Sequence, residues 1–221
     1  MLTRYHQQIT TEALGKRLGP KALETVIQAN LHQDDLKYLL GGYPHYHFDD
    51  NEFERTYLYL DEQHQLVKNT LAHNGDPTLA WVAFGKITHT VQDFYAHSNY
   101  VQLWLEQNAR ETGFPNRPPN PNEIEPLIPN LITNPRLFTA RSILLFEFLG
   151  MLPLLGKILI PFFPPDTHIR MNLDQPASGP LFSYAFVAAR KRTEKEFEAL
   201  FQHIHTLYGS HALQRFVNEV R

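Results

Sequence analysis

The sequence predicts an all-α fold, a single-domain multi-helix bundle over residues 1–221. Three observations carry this expectation. Apolar residues recur at three- and four-residue intervals through most of the chain, the period of one face of an α-helix. Glycine and proline fall between these runs, where they end one helix and open the next. No repeat, Gly-rich phosphate loop, dinucleotide fingerprint or Gly-x-Ser-x-Gly elbow interrupts the pattern. The chain is long enough to bury a sizeable core, and no low-complexity linker divides it.

In chain order, Ile9, Ala13, Leu14 and Leu18 predict a helix from about Tyr5 to Leu18, closed by Gly19-Pro20. Pro20 suits the first turn of a second helix carrying Leu23, Val26, Ile27, Leu31, Leu36 and Leu39, which Gly41-Gly42 stops. Asp34 and Asp35 fall in its C-terminal half, where the helix dipole favours cations, so they read either as a solvated face or as seekers of a positive partner. A loop follows with His45, His47, Asp49 and Asp50 within six positions. A third helix spans Phe53 to about Ala72, with Tyr57, Leu60, Leu66, Val67 and Leu71 toward the core. Asp76 as N-cap and Pro77 at the first helical position open a fourth helix, expected to reach about Glu106.

This fourth helix is apolar on most sides, through Leu79, Trp81, Val82, Phe84, Ile87, Val91 and Phe94, which predicts burial. His89, Asp93 and His97 stand on it at successive intervals of four. Neighbours in such a series share a face and can share one ion, whereas the outer two, roughly 12 Å apart along the axis, cannot. Leaving three such groups buried without hydrogen bonds or metal would cost several kcal/mol each, by general estimates of about 2–7 kcal/mol per polar group.

Residues 107–136 contain seven prolines in an Asn-rich run and read as a long extended surface loop. Residues 143–163 are strongly apolar but hold Glu147, Lys157, Pro153 and Pro161, which argues against a membrane span. They read as a core helix or as a lipid-facing hairpin at a membrane surface. Pro180 opens a last long helix ended by Gly209, and Ser210 can cap a short terminal helix.

Composition narrows the chemistry. The apolar content of 43% with 19% charged residues is that of a folded protein. A net charge of -3 gives no basic footprint, so no duplex nucleic acid is expected as a partner. With no cysteine, disulfides, thiolate metal sites and thiol nucleophiles are excluded, and any metal must use histidine and carboxylate. Of twelve histidines, eight precede residue 100. The N-terminal residues lack the apolar core of a secretory signal, so a cytoplasmic location is the expectation for the sequence as written.

The run His89-Thr-Val-Gln-Asp93-Phe-Tyr-Ala-His97-Ser-Asn-Tyr-Val resembles the signature of the heterokaryon-incompatibility C-like group within the zinc-dependent phospholipase C superfamily. His6-Gln-Gln-Ile-Thr-Thr-Glu-Ala-Leu is similar to its N-terminal pattern. Asn30 through Asp35, followed by His47-Phe-Asp, is similar to its middle elements, and the resemblance covers roughly the first 105 residues. It implies an all-helical fold of the zinc phospholipase C and single-strand nuclease type, with one to three zinc ions, two being the expectation. Carried over, Asp35, His47, His89 and Asp93 would bind one zinc, Asp93 would bridge to a second held by His6, and His97 would belong to a third. The late His-x3-Glu of that third site is absent around Ser183 and Tyr184, and His168 is the candidate to replace it.

The resulting expectation is a zinc-dependent, phospholipase C-like phosphodiesterase, using a metal-activated water on a phospholipid or other phosphodiester. Asp35 and Asp93 are its expected catalytic residues, with Asp35 as general base. The alternatives are a nuclease-like phosphodiesterase and a non-catalytic, metal-stabilised module that binds a membrane or a partner through residues 143–163.

Overall fold

A computed structural model describes residues 1–35, 42–73, 75–113, 118–152 and 154–218. It is all-helical among these residues, with two isolated β-bridges and no named strand. The helices are α1 (Thr3–Leu14), α2 (Pro20–Leu31), α3 (Phe53–Ala72), α4 (Pro77–His97), α5 (Tyr100–Thr112), α6 (Pro129–Ile132), α7 (Leu144–Met151), α8 (Leu155–Leu159), α9 (His168–Met171) and α10 (Phe182–Val217).

The bundle is built around α4. Asp76 caps it by accepting the Thr78 N–H at 3.0 Å, and Pro77 occupies its first turn. Every residue from Ile87 to His97 is buried, because α2, α3 and α10 pack on three sides of it and the loop at 44–46 touches it too. The approach of α2 is backbone to backbone: a Cβ on Gly85 would stand 2.4 Å from the Val26 carbonyl oxygen. α1 buries His6, Ile9, Thr10, Ala13 and Leu14, one helical stripe, and rests mainly on α10 and α2.

Several expectations change. α2 ends at Leu31, where the His32 N–H turns back to the Gln28 and Asn30 carbonyls, and a 3-10 turn follows over His32–Asp34. The expected continuation through Leu36 and Leu39 to Gly41 lies outside the described residues. On α3 the buried stripe is Thr56, Tyr59, Leu60, Gln63, Val67, Thr70 and Leu71, whereas Tyr57 and Leu66 are exposed. At 100° per residue Tyr57 and Leu66 fall on the two flanks of this stripe, roughly 80–100° from its centre, and so face outward.

The fourth helix does not run to Glu106. Ser98 is extended and pairs with Thr139 in an isolated bridge, and Asn99 accepts Phe138 N–H and donates to the Arg136 carbonyl, so the segment at 136–140 wedges between α4 and α5. Among its described residues the Pro-rich stretch is likewise more structured than a surface loop: the α5 helix enters it, a 3-10 turn forms at Pro121–Glu123, α6 follows, and Ile124 and Leu131 are buried. Gly209, with φ of 76°, kinks α10 and separates the main helix from a short terminal one, as its place in the sequence implies.

Residues 143–163 are not a core helix. They form α7, α8 and a 3-10 turn whose large side chains face outward, with Phe148 64%, Leu154 77% and Phe162 83% exposed. The two short helices meet through glycine, since a Cβ on Gly156 would lie 2.2 Å from the Gly150 carbonyl oxygen. Backbone contact and the Phe146–Phe163 ring pair, with centroids 4.7 Å apart, occupy the inside of the hairpin and leave Phe148, Leu154 and Phe162 outside it. Among the described residues, no helix is long and apolar enough to cross a membrane.

Candidate metal centre

Gln92 organises the floor of the site. Its amide nitrogen donates to Thr10 and Thr193, both at 3.1 Å, and its oxygen accepts from Asn30 at 3.2 Å and faces His6 Nδ1 at 2.7 Å. Asn30 donates in turn to Thr88 at 2.9 Å. All of these groups are buried. The close α2–α4 approach at Gly85 is what brings Asn30 within reach of α4.

On this floor α4 lifts Asp93 between two sets of ligands. Asp93 Oδ2 is 3.0 Å from both His47 Nδ1 and His89 Nε2, which are 3.1 Å from each other. Asp34 Oδ1 completes the group, 3.6 Å from His89 Nε2 and 4.0 Å from His47 Nδ1. Zinc–ligand bonds of about 2.0–2.2 Å in a tetrahedron place donor atoms about 3.3 Å apart, so this set has the span of a single-ion site. The 3-10 turn after α2 chooses the carboxylate: it directs Asp34 inward, while Asp35, the residue expected here, lies with Oδ1 3.4 Å from His32 Nδ1 and its side chain 42% exposed.

The other oxygen of Asp93 serves the second set. Asp93 Oδ1 lies 3.1 Å from His6 Nε2, and His6, His89 and Asp93 offer three ligand atoms within 4.8 Å of one another. The His6 and His89 rings stack with centroids 4.3 Å apart. The amino group of Met1 donates to Asp93 Oδ1 at 2.6 Å, lies 3.0 Å from Asp174 Oδ1 and 3.3 Å from His97 Nε2. A third group comprises Asp49, His97 and His168. The positions of His6, His47, His89, Asp93 and His97 thus converge, joined by Asp34, Asp49, His168 and Asp174. Asp49 stood in the His-rich loop of the sequence; nothing in spacing alone marks Asp174, which α4 meets only through the fold.

Whether these residues fit a metal is tested by His6. Gln92 Oε1 takes up the Nδ1 side, and Nε2, though 3.1 Å from Asp93 Oδ1, has no hydrogen-bond partner. A buried ring nitrogen pressed against a carboxylate without a hydrogen bond is an arrangement that a cation resolves. The charges around the site divide between its two sets. Burial lowers the pKa of His89 to about 4, although Asp93 pulls the other way, so its ring is neutral and ligand-competent at neutral pH. Burial works to raise the Asp93 pKa, but its charged neighbours, the Met1 ammonium and then His97 foremost, outweigh it and hold the carboxyl well below its usual range. The Met1 amine is raised to about 11, since Asp174, Asp93 and Asp34 overcome the opposing effect of burial.

An all-helical domain whose central helix holds a carboxylate between two sets of imidazoles belongs to the class of proteins with His/Asp groups able to hold metal ions. The chain belongs to the VWA7 N-terminal domain family, whose model matches residues 5–121. That match corrects the resemblance to the zinc phospholipase C superfamily and its heterokaryon-incompatibility C-like group, because the family model spans the same motifs, from His6 to His97, on which the resemblance was based. Short ligand runs on a helix are shared more widely than any one family. No curated protein and no solved structure matches the chain.

Proposed function

We propose that this domain is a metal-dependent phosphodiester hydrolase that uses zinc and prefers a phospholipid, the phospholipase C reaction. The observation that supports it is Asp93, whose Oδ2 faces His47 and His89 at 3.0 Å while its Oδ1 faces His6 at 3.1 Å. Asp34, His47, His89 and Asp93 would hold one ion, and His6 with the other oxygen of Asp93 a second. Bound divalent ions supply an activated water and neutralise charge on a phosphoryl group, which is the chemistry phosphodiester cleavage needs.

The chain's own side chains divide the remaining work. Asp34 is 25% exposed, the most accessible carboxylate of the first set, and is placed to take a proton from the attacking water. Asp93 remains ionised. Gln92 fixes the His6 ring, and the neutral His89 presents a lone pair. The apolar α7–α8 hairpin offers a surface for the acyl region of a lipid, which favours phospholipid over single-stranded nucleic acid.

The test is hydrolysis of a chromogenic phosphodiester, of phosphatidylcholine vesicles and of single-stranded DNA by zinc-reconstituted protein. Turnover on vesicles that is lost in Asp93→Ala supports the proposal; absence of metal after reconstitution, or turnover unaffected by Asp93→Ala, overturns it. The exposure of Phe148, Leu154 and Phe162 also favours a second reading, a metal-stabilised module that binds a membrane or a partner without catalysis. Retained zinc with no turnover, and vesicle binding abolished by Phe148→Glu with Phe162→Glu, would favour that reading instead.

A further inference from the structure

Lys86 stands on α4 one residue after the Gly85 crossing, half-buried between two cavities that it lines in common. One, of about 170 Å³, is bounded by Gln33 and α2; the other, of about 340 Å³, lies between Lys86, the turn at Tyr46 and α3. The larger has the size of a small-molecule site, roughly 300–1,000 Å³. Among the described residues Lys86 has no ion pair or hydrogen bond. Arg55, the other cation on the larger cavity, is already paired, donating to both oxygens of Glu52 at 2.6 and 2.9 Å. Two buried amides share the groove. Tyr59 donates its hydroxyl to Gln33 Oε1 at 3.2 Å, which leaves Gln33 Nε2 without a partner. Gln63, four residues along α3 from Tyr59, has an unpartnered Oε1. Both atoms lie beneath the cavity surface, and the broad terminal torsion of glutamine lets each turn toward a ligand. The groove adjoins the first ligand set: Gln33 precedes Asp34, Tyr46 precedes His47, and Lys86 is three residues from His89, a rise of about 4.5 Å.

We propose that Lys86, Gln33 and Gln63 form a binding subsite for a phosphorylated polyol, either free or as a lipid headgroup. The unmet groups define the ligand. A cation and an amide donor call for anionic oxygen, and phosphate on lysine is a strong, charge-assisted pairing. An amide acceptor, with the Glu62 carboxylate on the same lining, calls for hydroxyl donors. A ligand anionic at one end and hydroxylated at the other meets all of them, whereas a quaternary ammonium headgroup would meet Lys86 with like charge. The stacked rings of Tyr46 and Tyr59, with centroids 4.4 Å apart, form a fixed wall beside it. This subsite goes beyond the hydrolase reading, since binding there needs neither metal nor turnover.

The experiment uses full-length protein passed over a chelating resin. Calorimetric titration with glycerol phosphate probes the free ligand, and co-sedimentation with phosphatidylcholine vesicles, with and without phosphatidylinositol phosphate, probes the headgroup. Lys86→Gln is expected to weaken binding roughly 10- to 100-fold, the range for a hydrogen bond to a charged group, and Lys86→Arg to retain most of it. Gln63→Leu should weaken glycerol phosphate but not inorganic phosphate, because only the hydroxyl contact is lost. Lys16→Gln, at an exposed lysine elsewhere, should change nothing. Binding of the soluble probe, of the phosphorylated vesicles or of both supports the proposal and identifies the source of the ligand. Binding of neither, equal binding in parent and Lys86→Gln, or an equal loss in Lys16→Gln overturns it. Side-chain amide chemical shifts of the parent cover the case in which a variant fails to fold: movement of Gln33 and Gln63 on adding glycerol phosphate is expected, and movement only elsewhere overturns it. Failure of the hydrolase reading would leave these affinities unchanged.

Discussion

His6 Nε2 lies 3.1 Å from Asp93 Oδ1 without forming a hydrogen bond, while Gln92 Oε1 stands 2.7 Å from the opposite nitrogen of the same ring. Gln92 therefore decides which nitrogen of His6 faces Asp93. Gln92→Leu removes that control and is expected to weaken zinc binding roughly 10- to 100-fold. Competition against a chromogenic chelator measures it. Unchanged affinity would mean that His6 is not a ligand or needs no orienting partner.

Asp34 and Asp35 are neighbours in sequence with different surroundings. Asp34→Asn is expected to lower phosphodiester turnover by the roughly 10²–10⁴-fold that a positioned general base contributes, and Asp35→Asn to leave it near the parent value. Steady-state kinetics on the two variants checks this, and the reverse ranking would remove Asp34 from the mechanism.

The close crossing of α2 and α4 at Gly85 leaves no room for a methyl group beside the Val26 carbonyl and Ala29 Cβ, at 2.4 and 2.7 Å. Gly85→Ala should destabilise the fold by about 1–3 kcal/mol, the range for overpacking a tight interior. Because Asn30 reaches Thr88 and Gln92 across the same crossing, zinc affinity is expected to fall as well. Thermal unfolding with and without zinc separates the two effects.

Away from the His/Asp cluster, buried Glu196 is bound by His64 at 2.9 Å and by Arg192 at 2.6 Å. Burial would raise its pKa, but those two partners outweigh burial and bring it from 4.5 to about 2. A depressed carboxylate pKa contributes stability that is fully present above the unfolded value and is lost as pH falls toward the folded one. The window is therefore about pH 4.5 to 2. Glu196→Gln should lose stability at neutral pH and flatten the acid limb in that window, seen by comparing denaturant midpoints of parent and variant at a series of pH values.

Much of the scaffold is legible in the sequence because its signals are local. Asp76-Pro77 marks the start of α4, Gly209 marks the kink in α10, and the His89/Asp93/His97 spacing puts three ligand types on one face. What escapes the sequence is set by contacts between distant segments. The break at Ser98 depends on residues 136–140 docking there, and the polar Ser98-Asn99 pair inside a helical pattern is only a weak local sign of it. The choice of Asp34 over Asp35 depends on a single 3-10 turn, which rotates adjacent side chains apart. Asp174 reaches the site only because α9 delivers the following chain to the end of α4, where the Leu173 N–H bonds the Ala96 carbonyl at 2.9 Å. The family assignment was not legible either, since ligand motifs report shared chemistry more readily than descent.

The glycine contact between α7 and α8 divides the hairpin into parts with different obligations. Gly150, Gly156 and Glu147 hold its shape and its seat, whereas Leu145, Phe148, Ile158 and Phe162 project outward. The outer side chains can therefore be exchanged without dismantling the bundle or its buried His/Asp groups. That makes the hairpin a replaceable surface cassette, whose apolar face can be retuned while the cluster beneath it stays fixed.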